Sequence, residues 1–136
     1  MKKTYEISGT DFANAGGASS DFKIVLKKLG VPMDVIRRIA IAMYEAEINT
    51  VIHGKGGVCE AEILPDRIEI VFSDHGPGIE NVELAMQEGY STAPDRVREL
   101  GFGAGMGLPN IQKYTDDLKI EPNEGGGTIV TLTVRL

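Results

Sequence analysis

At 136 residues, with 42% apolar and 25% charged side chains, the chain has the size and balance of one globular domain, 1–136, able to bury its own core. A formal charge of −6 and a pI near 4.9 argue against nucleic acid or a membrane surface as the main partner, because both reward a basic face. The lone Cys59 excludes an intrachain disulfide, and no leader-like or long uncharged apolar run stands out, so a cytoplasmic location is expected.

In chain order, Lys2 to Ile7 reads as a short strand. Asp11 is placed to cap a helix reaching Leu29, with Phe12, Ala15, Phe22, Val25, Leu26 and Leu29 on one side, Gly16-Gly17 weakening its middle and Gly30 as the stop. Pro32 and Asp34 open a second helix that runs to about His53, with Gly54 after it. Val58–Leu64 and Arg67–Ser73 form an antiparallel hairpin around Pro65-Asp66, the second strand alternating Ile68, Ile70 and Phe72. A short helix is expected around Asn81 to Gln87. The Gly-, Ser-, Thr- and Pro-rich stretch from Glu88 to Gly107 has no period and reads as a lid or binding loop. A helix from Leu108 to Asp117, with Pro109 in its first turn, precedes a second hairpin of Leu118–Glu121 and Thr128–Leu136. The pattern predicts an α+β fold: a two-layer sandwich with helices on one face of a mixed, mostly antiparallel sheet.

Four elements carry chemistry. Glu45 and Asn49 lie four residues apart, about 40° from each other around a helix, on a side that also holds Ile41, Ile48 and Ile52. Polar groups buried there need polar partners. An amide oxygen is a hard Mg²⁺ ligand and a carboxylate a general base, and Mg²⁺ takes few protein oxygens beside phosphate. The spacing equally fits a solvated helix edge, or a Glu45 paired with Arg38. Asp74-His75-Gly76-Pro77-Gly78-Ile79 ends a strand with a carboxylate that can accept from an exocyclic amino group such as adenine's, and its glycines admit a flat ring. An ordinary Asx turn explains it as well. Gly101-Phe102-Gly103-Ala104-Gly105-Met106-Gly107-Leu108-Pro109 runs into a helix N-terminus, suited to a phosphate chain, yet matches neither the P-loop nor the dinucleotide fingerprint. A glycine hinge is the other reading. Last, Gly125-Gly126-Gly127-Thr128 opens the final strand, with the Thr128 hydroxyl a candidate to buttress Asp74 or a water on the base; taken alone, the motif reads more simply as a hairpin turn entering a β-favouring residue.

Among the remaining residues, His53 reads as a helix-end residue, His75 as positional and Cys59 as packing. Asp116, Asp117 and Lys119 read as a solvated edge. Two histidines and one cysteine are too few for an ordinary structural zinc site.

Order and context make these elements specific together. Glu45-Ala46-x-x-Asn49-x-x-Ile52-His53-Gly54, Asp74-x-Gly-Pro-Gly-Ile79, Glu88-Gly89-Tyr90-Ser91-Thr92 and Gly103-Ala104-Gly105-Met106-Gly107-Leu108-Pro109 resemble the Bergerat (GHKL) ATP-binding fold. That fold is shared by DNA gyrase, mismatch-repair ATPases, the heat-shock ninety chaperone and sensor histidine kinases. Within it, the chain most resembles bacterial anti-sigma-factor serine/threonine kinases, and among those the stressosome switch kinase (RsbT type). The resemblance implies ATP and Mg²⁺ as cofactors and Glu45 as general base. It implies that Asn49 holds Mg²⁺ and Asp74 reads adenine, with Gly76, Gly78, Ile79 and Thr128 around the base. Gly103, Ala104, Gly105, Met106, Gly107 and Leu108 would wrap the phosphates. It also implies a STAS-domain antagonist protein as phosphoryl acceptor in a sigma-factor partner-switching pathway. The alternative is a nucleotide-binding anti-sigma factor that acts by sequestration. A sigma factor, a phosphatase partner and a homodimer stay open. So do a detached histidine-kinase catalytic domain, disfavoured by the lack of a dimerising His-bearing helix pair, and a simple ATPase. The chain departs from the switch kinase in a lid lengthened by Ala93 to Leu100, and its γ-phosphate partner stays open among Lys113, Arg96 and Arg98.

Overall fold

A computed structural model of the chain describes residues 1–10, 15–52, 55–76 and 107–136, with backbone alone at 107 and 108. Along them run β1 (Lys2–Ser8), α1 (Gly17–Lys28), α2 (Met33–Ile52), β2 (Gly56–Ile63), β3 (Arg67–Asp74), α3 (Gly107–Tyr114), β4 (Asp117–Pro122) and β5 (Thr128–Arg135). The strands form one five-stranded sheet in the order β1-β2-β3-β5-β4, and every neighbouring pair is antiparallel. The expected α+β sandwich is observed. Its sheet, expected to be mixed or antiparallel, is antiparallel throughout the described strands.

Period-two alternation decides which strand face is covered. In β3 the side chains of Ile68, Ile70, Phe72 and Asp74 are buried. Their register partners continue the same face: Cys59 lies opposite Phe72, Ala61 opposite Ile70, and Leu132 opposite Ile70 on the other side. Phe22 and Leu26 of α1, Ile36, Ile39 and Met43 of α2 and Ile111 of α3 complete this core, each under 2% exposed. Each such side chain stabilises the fold by roughly 1.5–3 kcal/mol on burial. Cys59 is one of these packing residues, as expected, and burial first, then Glu47 and Glu60 nearby, pushes its thiol pKa up.

Two expectations about α1 change. Gly16 and Gly17 do not sit within α1; they begin it. Gly16 has φ +100, and a Cβ there would press on the Tyr44 ring. Asp11 and Phe12, expected in that helix, lie outside the described residues, as do the expected helix from Asn81 to Gln87, and His53 and Gly54. Leu29, expected on the apolar side, is exposed because the helix has ended. The Gly30 amide donates to the Lys27 carbonyl and that of Val31 to Leu26, a Schellman pair.

Asp116 is an anchor, where a solvated edge was expected. α3 stops at Tyr114, and the Asp116 carboxylate accepts the Arg135 amide at 2.6 Å and the Arg38 guanidinium at 3.2 Å. The Arg135 bond first, with Arg38 assisting, holds its carboxyl below the usual carboxylate range. Arg38 also donates to the Tyr114 carbonyl at 3.2 Å, so it fastens α2 to the end of α3 and is not the partner of Glu45.

Candidate functional site

Asp74 is the last residue of β3, 8% exposed, and built into a tight backbone cage. Its Oδ1 accepts the amides of Gly76 at 3.0 Å and Thr128 at 3.1 Å, while Asn123 Nδ2 donates to its carbonyl at 2.8 Å. Among the described residues its Oδ2 has no hydrogen-bond partner. Gly127, φ +97, is required here because a Cβ would overlap the Asp74 carbonyl oxygen. The buttress expected from the Thr128 hydroxyl is made by the Thr128 backbone amide. The cage holds the carboxylate through Oδ1 and leaves Oδ2 without a partner among the described residues, suiting an acceptor for an exocyclic amino group.

The second half of the site lies along α2. Glu45 and Asn49 are both half-buried, but their side of the helix is not the core stripe. Val35, Ile39, Ala42, Met43, Ala46 and Thr50 face the core, whereas Arg38 and Glu45 meet α3. The Asn110 side chain lies close enough to Glu45 to act on its carboxyl. Burial pushes the Glu45 carboxyl above its ordinary value, and Asn110 draws it partly back. With Arg38 against Tyr114 and Glu45 against Asn110, the two helices run antiparallel. One further turn therefore brings the start of α3 at Gly107 level with Asn49.

The same count ties in Asp74. Asn49 stands one turn before the end of α2, the next strand starts at Gly56, and Gly57 is the register partner of Asp74. Glu45, Asn49, Asp74, Thr128 and the first turn of α3 thus share one end of the sandwich. Gly76 lies beside Asp74; Gly78, Ile79, Gly103, Ala104, Gly105, Met106, Arg96, Arg98 and the Leu108 side chain lie outside the described residues. Among the described residues no group of three or more His, Cys, Asp or Glu can hold a metal unaided. A cation here would lean on the Asn49 amide oxygen and on phosphate oxygens, a donor set that fits Mg²⁺. No described helix is long and apolar enough to cross a membrane.

Three residues escaped the sequence reading. Asn110 and Asn123 give no local signal, since their roles depend on where α3 and the β4–β5 turn land. Glu47 does give one: it is a charged residue on the core stripe. It is 3% exposed, and its carboxylate accepts the amides of Gly16, Ala18 and Ser19 at 2.8, 3.3 and 3.0 Å, capping α1 from across the helix pair.

The family profile described as "Histidine kinase-like ATPase domain" matches residues 10–134. The chain belongs to that family. Among its relatives within this ATPase family is the anti-sigma F factor of Clostridium beijerinckii. It is 34% identical over 111 residues, spanning 77% of this chain and 74% of that protein. The anti-sigma F factor of Caldanaerobacter subterraneus subsp. tengcongensis is 37% identical over 111 residues, spanning 78% and 74%. The fold is similar to that of the RsbU and RsbW domains of a Mycobacterium tuberculosis protein, with TM-score 0.68 and 20% identity, covering 100% of this chain and 32% of that one. It is also similar to the mycobacterial sensor histidine kinase MprB, with TM-score 0.55 and 15% identity, covering 99% and 97%. The motifs, the family match and the anti-sigma F relatives place this chain in the GHKL histidine kinase-like ATPase family, beside the anti-sigma factors.

Proposed function

We propose that the chain binds ATP with Mg²⁺ and phosphorylates a serine or threonine of a STAS-domain antagonist in a sigma-factor partner-switching pathway. The observation that carries this reading is the half-buried Glu45 carboxylate, facing Asn110 at the first turn of the helix that follows the glycine run. Bound Mg²⁺–ATP would supply the phosphoryl group and neutralise the charge that develops on it. Glu45 takes the proton of the incoming hydroxyl. Asn49 would offer its amide oxygen to the cation, Asp74 would accept from the adenine amino group, and Gly103 to Leu108 would wrap the phosphates, as the family resemblance implies. The similarity to anti-sigma F factors supports the regulatory setting, and also a second reading in which the chain acts by sequestering a sigma factor.

Labelled ATP, Mg²⁺ and a set of STAS-domain proteins test the first reading. Label on a partner Ser or Thr is expected, falling by about 10²- to 10⁴-fold in Glu45→Ala and vanishing in Asn49→Ala. Free phosphate without protein label would instead make the chain an ATPase. A Glu45→Ala chain that still blocks transcription in trans would favour sequestration.

The environment of Glu45 also sets a pH dependence. A base must be ionised, so the acid limb of kcat against pH is expected above the ordinary glutamate value of 4.5. Asn110→Ala removes the group that lowers this pKa, so the limb should move to higher pH with the plateau retained. The sign for stability runs the same way: a raised carboxyl favours the fold below its unfolded pKa and loses that contribution as pH rises through the folded one. Glu45→Gln should therefore leave neutral-pH stability intact, separating loss of turnover from loss of fold. An unmoved limb in Asn110→Ala would remove Asn110 from the site.

A further inference from the structure

The pair α1 and α2 forms more than core. On its outer side lies a groove of about 360 Å³ lined by Ser19, Ser20 and Lys23 of α1 and by Ala40, Ile41, Tyr44 and Glu45 of α2. One end of the groove is Glu45. The helices are antiparallel, with Gly16 at Glu47 and Tyr44 and a short turn joining Lys28 to Met33. The groove therefore runs from Glu45 back towards that turn. Helical spacing places Lys27 one turn beyond Lys23, and Arg37 one turn before Ile41, on the two banks of its far end.

Lys23, Lys27 and Arg37 are all exposed, and none is in an ion pair among the described residues. The nearby acids form no ion pair with them among the described residues: Asp21 is held by Tyr5 and Lys3, Asp34 stands exposed a turn from Arg37, and Glu45 lies at the other end of the groove, so the bank keeps a surplus of positive charge. Three cations gathered at one end of a groove are against the trend of a chain whose net charge is −6. Such a bank attracts and orients an acidic partner.

We propose that this groove docks the acceptor protein: its hydroxyl enters at Glu45, and a carboxylate-bearing stretch of the same surface lies against Lys23, Lys27 and Arg37. The inference rests on the kinase reading and adds the acceptor's recognition chemistry to it. Arg37 and Glu45 are eight residues apart, so the acceptor's acidic group should lie about 12 Å from the hydroxyl. The occupant is chosen by two features: continuity of the groove with Glu45, and charge opposite to that of this bank.

Binding is read first, apart from catalysis. Fluorescein-labelled STAS-domain proteins are titrated against the chain holding Mg²⁺ and a non-hydrolysable ATP analogue, and phosphoryl transfer is then measured for those that bind. The charge reversal Lys23→Glu, Lys27→Glu and Arg37→Glu is expected to weaken acceptor binding by about tenfold or more and to abolish most of its salt dependence. Affinity for the nucleotide analogue should be unchanged. Reversing an acidic residue of the acceptor to lysine should restore binding to the triple variant. Unchanged acceptor binding in the variant overturns the groove, as does a wild-type chain to which no STAS-domain protein binds. A variant that changes only the sedimentation of the chain overturns it in favour of a second copy as occupant. Binding with the expected charge dependence but without transfer leaves the groove standing and removes the kinase reading instead.

Discussion

Asp74→Asn is expected to reduce ATP affinity by about a hundredfold or more while leaving the fold in place. The cage explains why these effects separate. An asparagine carbonyl can replace Oδ1 and still accept the amides of Gly76 and Thr128, so β3 and β5 stay joined at this end. The other arm becomes an NH₂ group where Oδ2 stood. If the purine amino group approaches there, a donor now meets a donor. The lost charge-assisted bond alone is worth about 1.5–3 kcal/mol, and the unpaired donors add to it. Guanine presents a carbonyl at the equivalent ring position, so the variant's preference for ATP over GTP should narrow or invert. Competition of ATP and GTP against a fluorescent ATP analogue reads both effects, and a urea midpoint checks the fold. Equal ATP affinity in a folded Asp74→Asn chain would remove Asp74 from the nucleotide site.

What could be read from the sequence divides along the range of the interactions. Strands and helices follow local rules, so the alternation in Arg67–Asp74 and the Gly30 stop after α1 appear where the pattern put them. The Glu45–Asn49 spacing is also local, because two residues one turn apart on a helix share a side whatever else folds around them. Tertiary placement is different. The partner of the apolar side holding Glu45 stays open in the sequence; only the arrival of Tyr114 and Asn110 shows that this side meets α3. Gly16-Gly17 was read as a weak helix middle because Phe12 and Ala15 extend the period upstream. The helix instead starts there, since its first amides find their acceptor on α2. Thr128 was placed beside Asp74 correctly, but the bonding group is a backbone amide, which no side-chain reasoning selects.

Glu47→Ala should cost about 3 kcal/mol or more of folding stability, a large share of the 5–15 kcal/mol that holds a typical domain. Glycine at the start of α1 has no side chain to cap the helix, so the task falls to a carboxylate 31 residues away. That carboxylate also sits at the positive end of the α1 dipole. Removing it strands three buried amides at once, whereas losing an ordinary cap costs typically about 1 kcal/mol. Glu47→Gln keeps one acceptor oxygen but turns an NH₂ group towards the amides, so it should fall between the two. Hydrogen exchange offers a sharper test than the urea midpoint, because the amides of Ala18 and Ser19 should lose protection before the sheet does. The loss then has a direction in function. α1 forms one bank of the groove that ends at Glu45, while Asp74 is held by β5 and the turn before it. A loosened α1 should therefore weaken acceptor binding before it weakens ATP binding. If Ala18 and Ser19 exchange as slowly in Glu47→Ala as in the parent chain, the cap is not what fixes α1, and the mechanical link from Glu47 to the groove is lost with it.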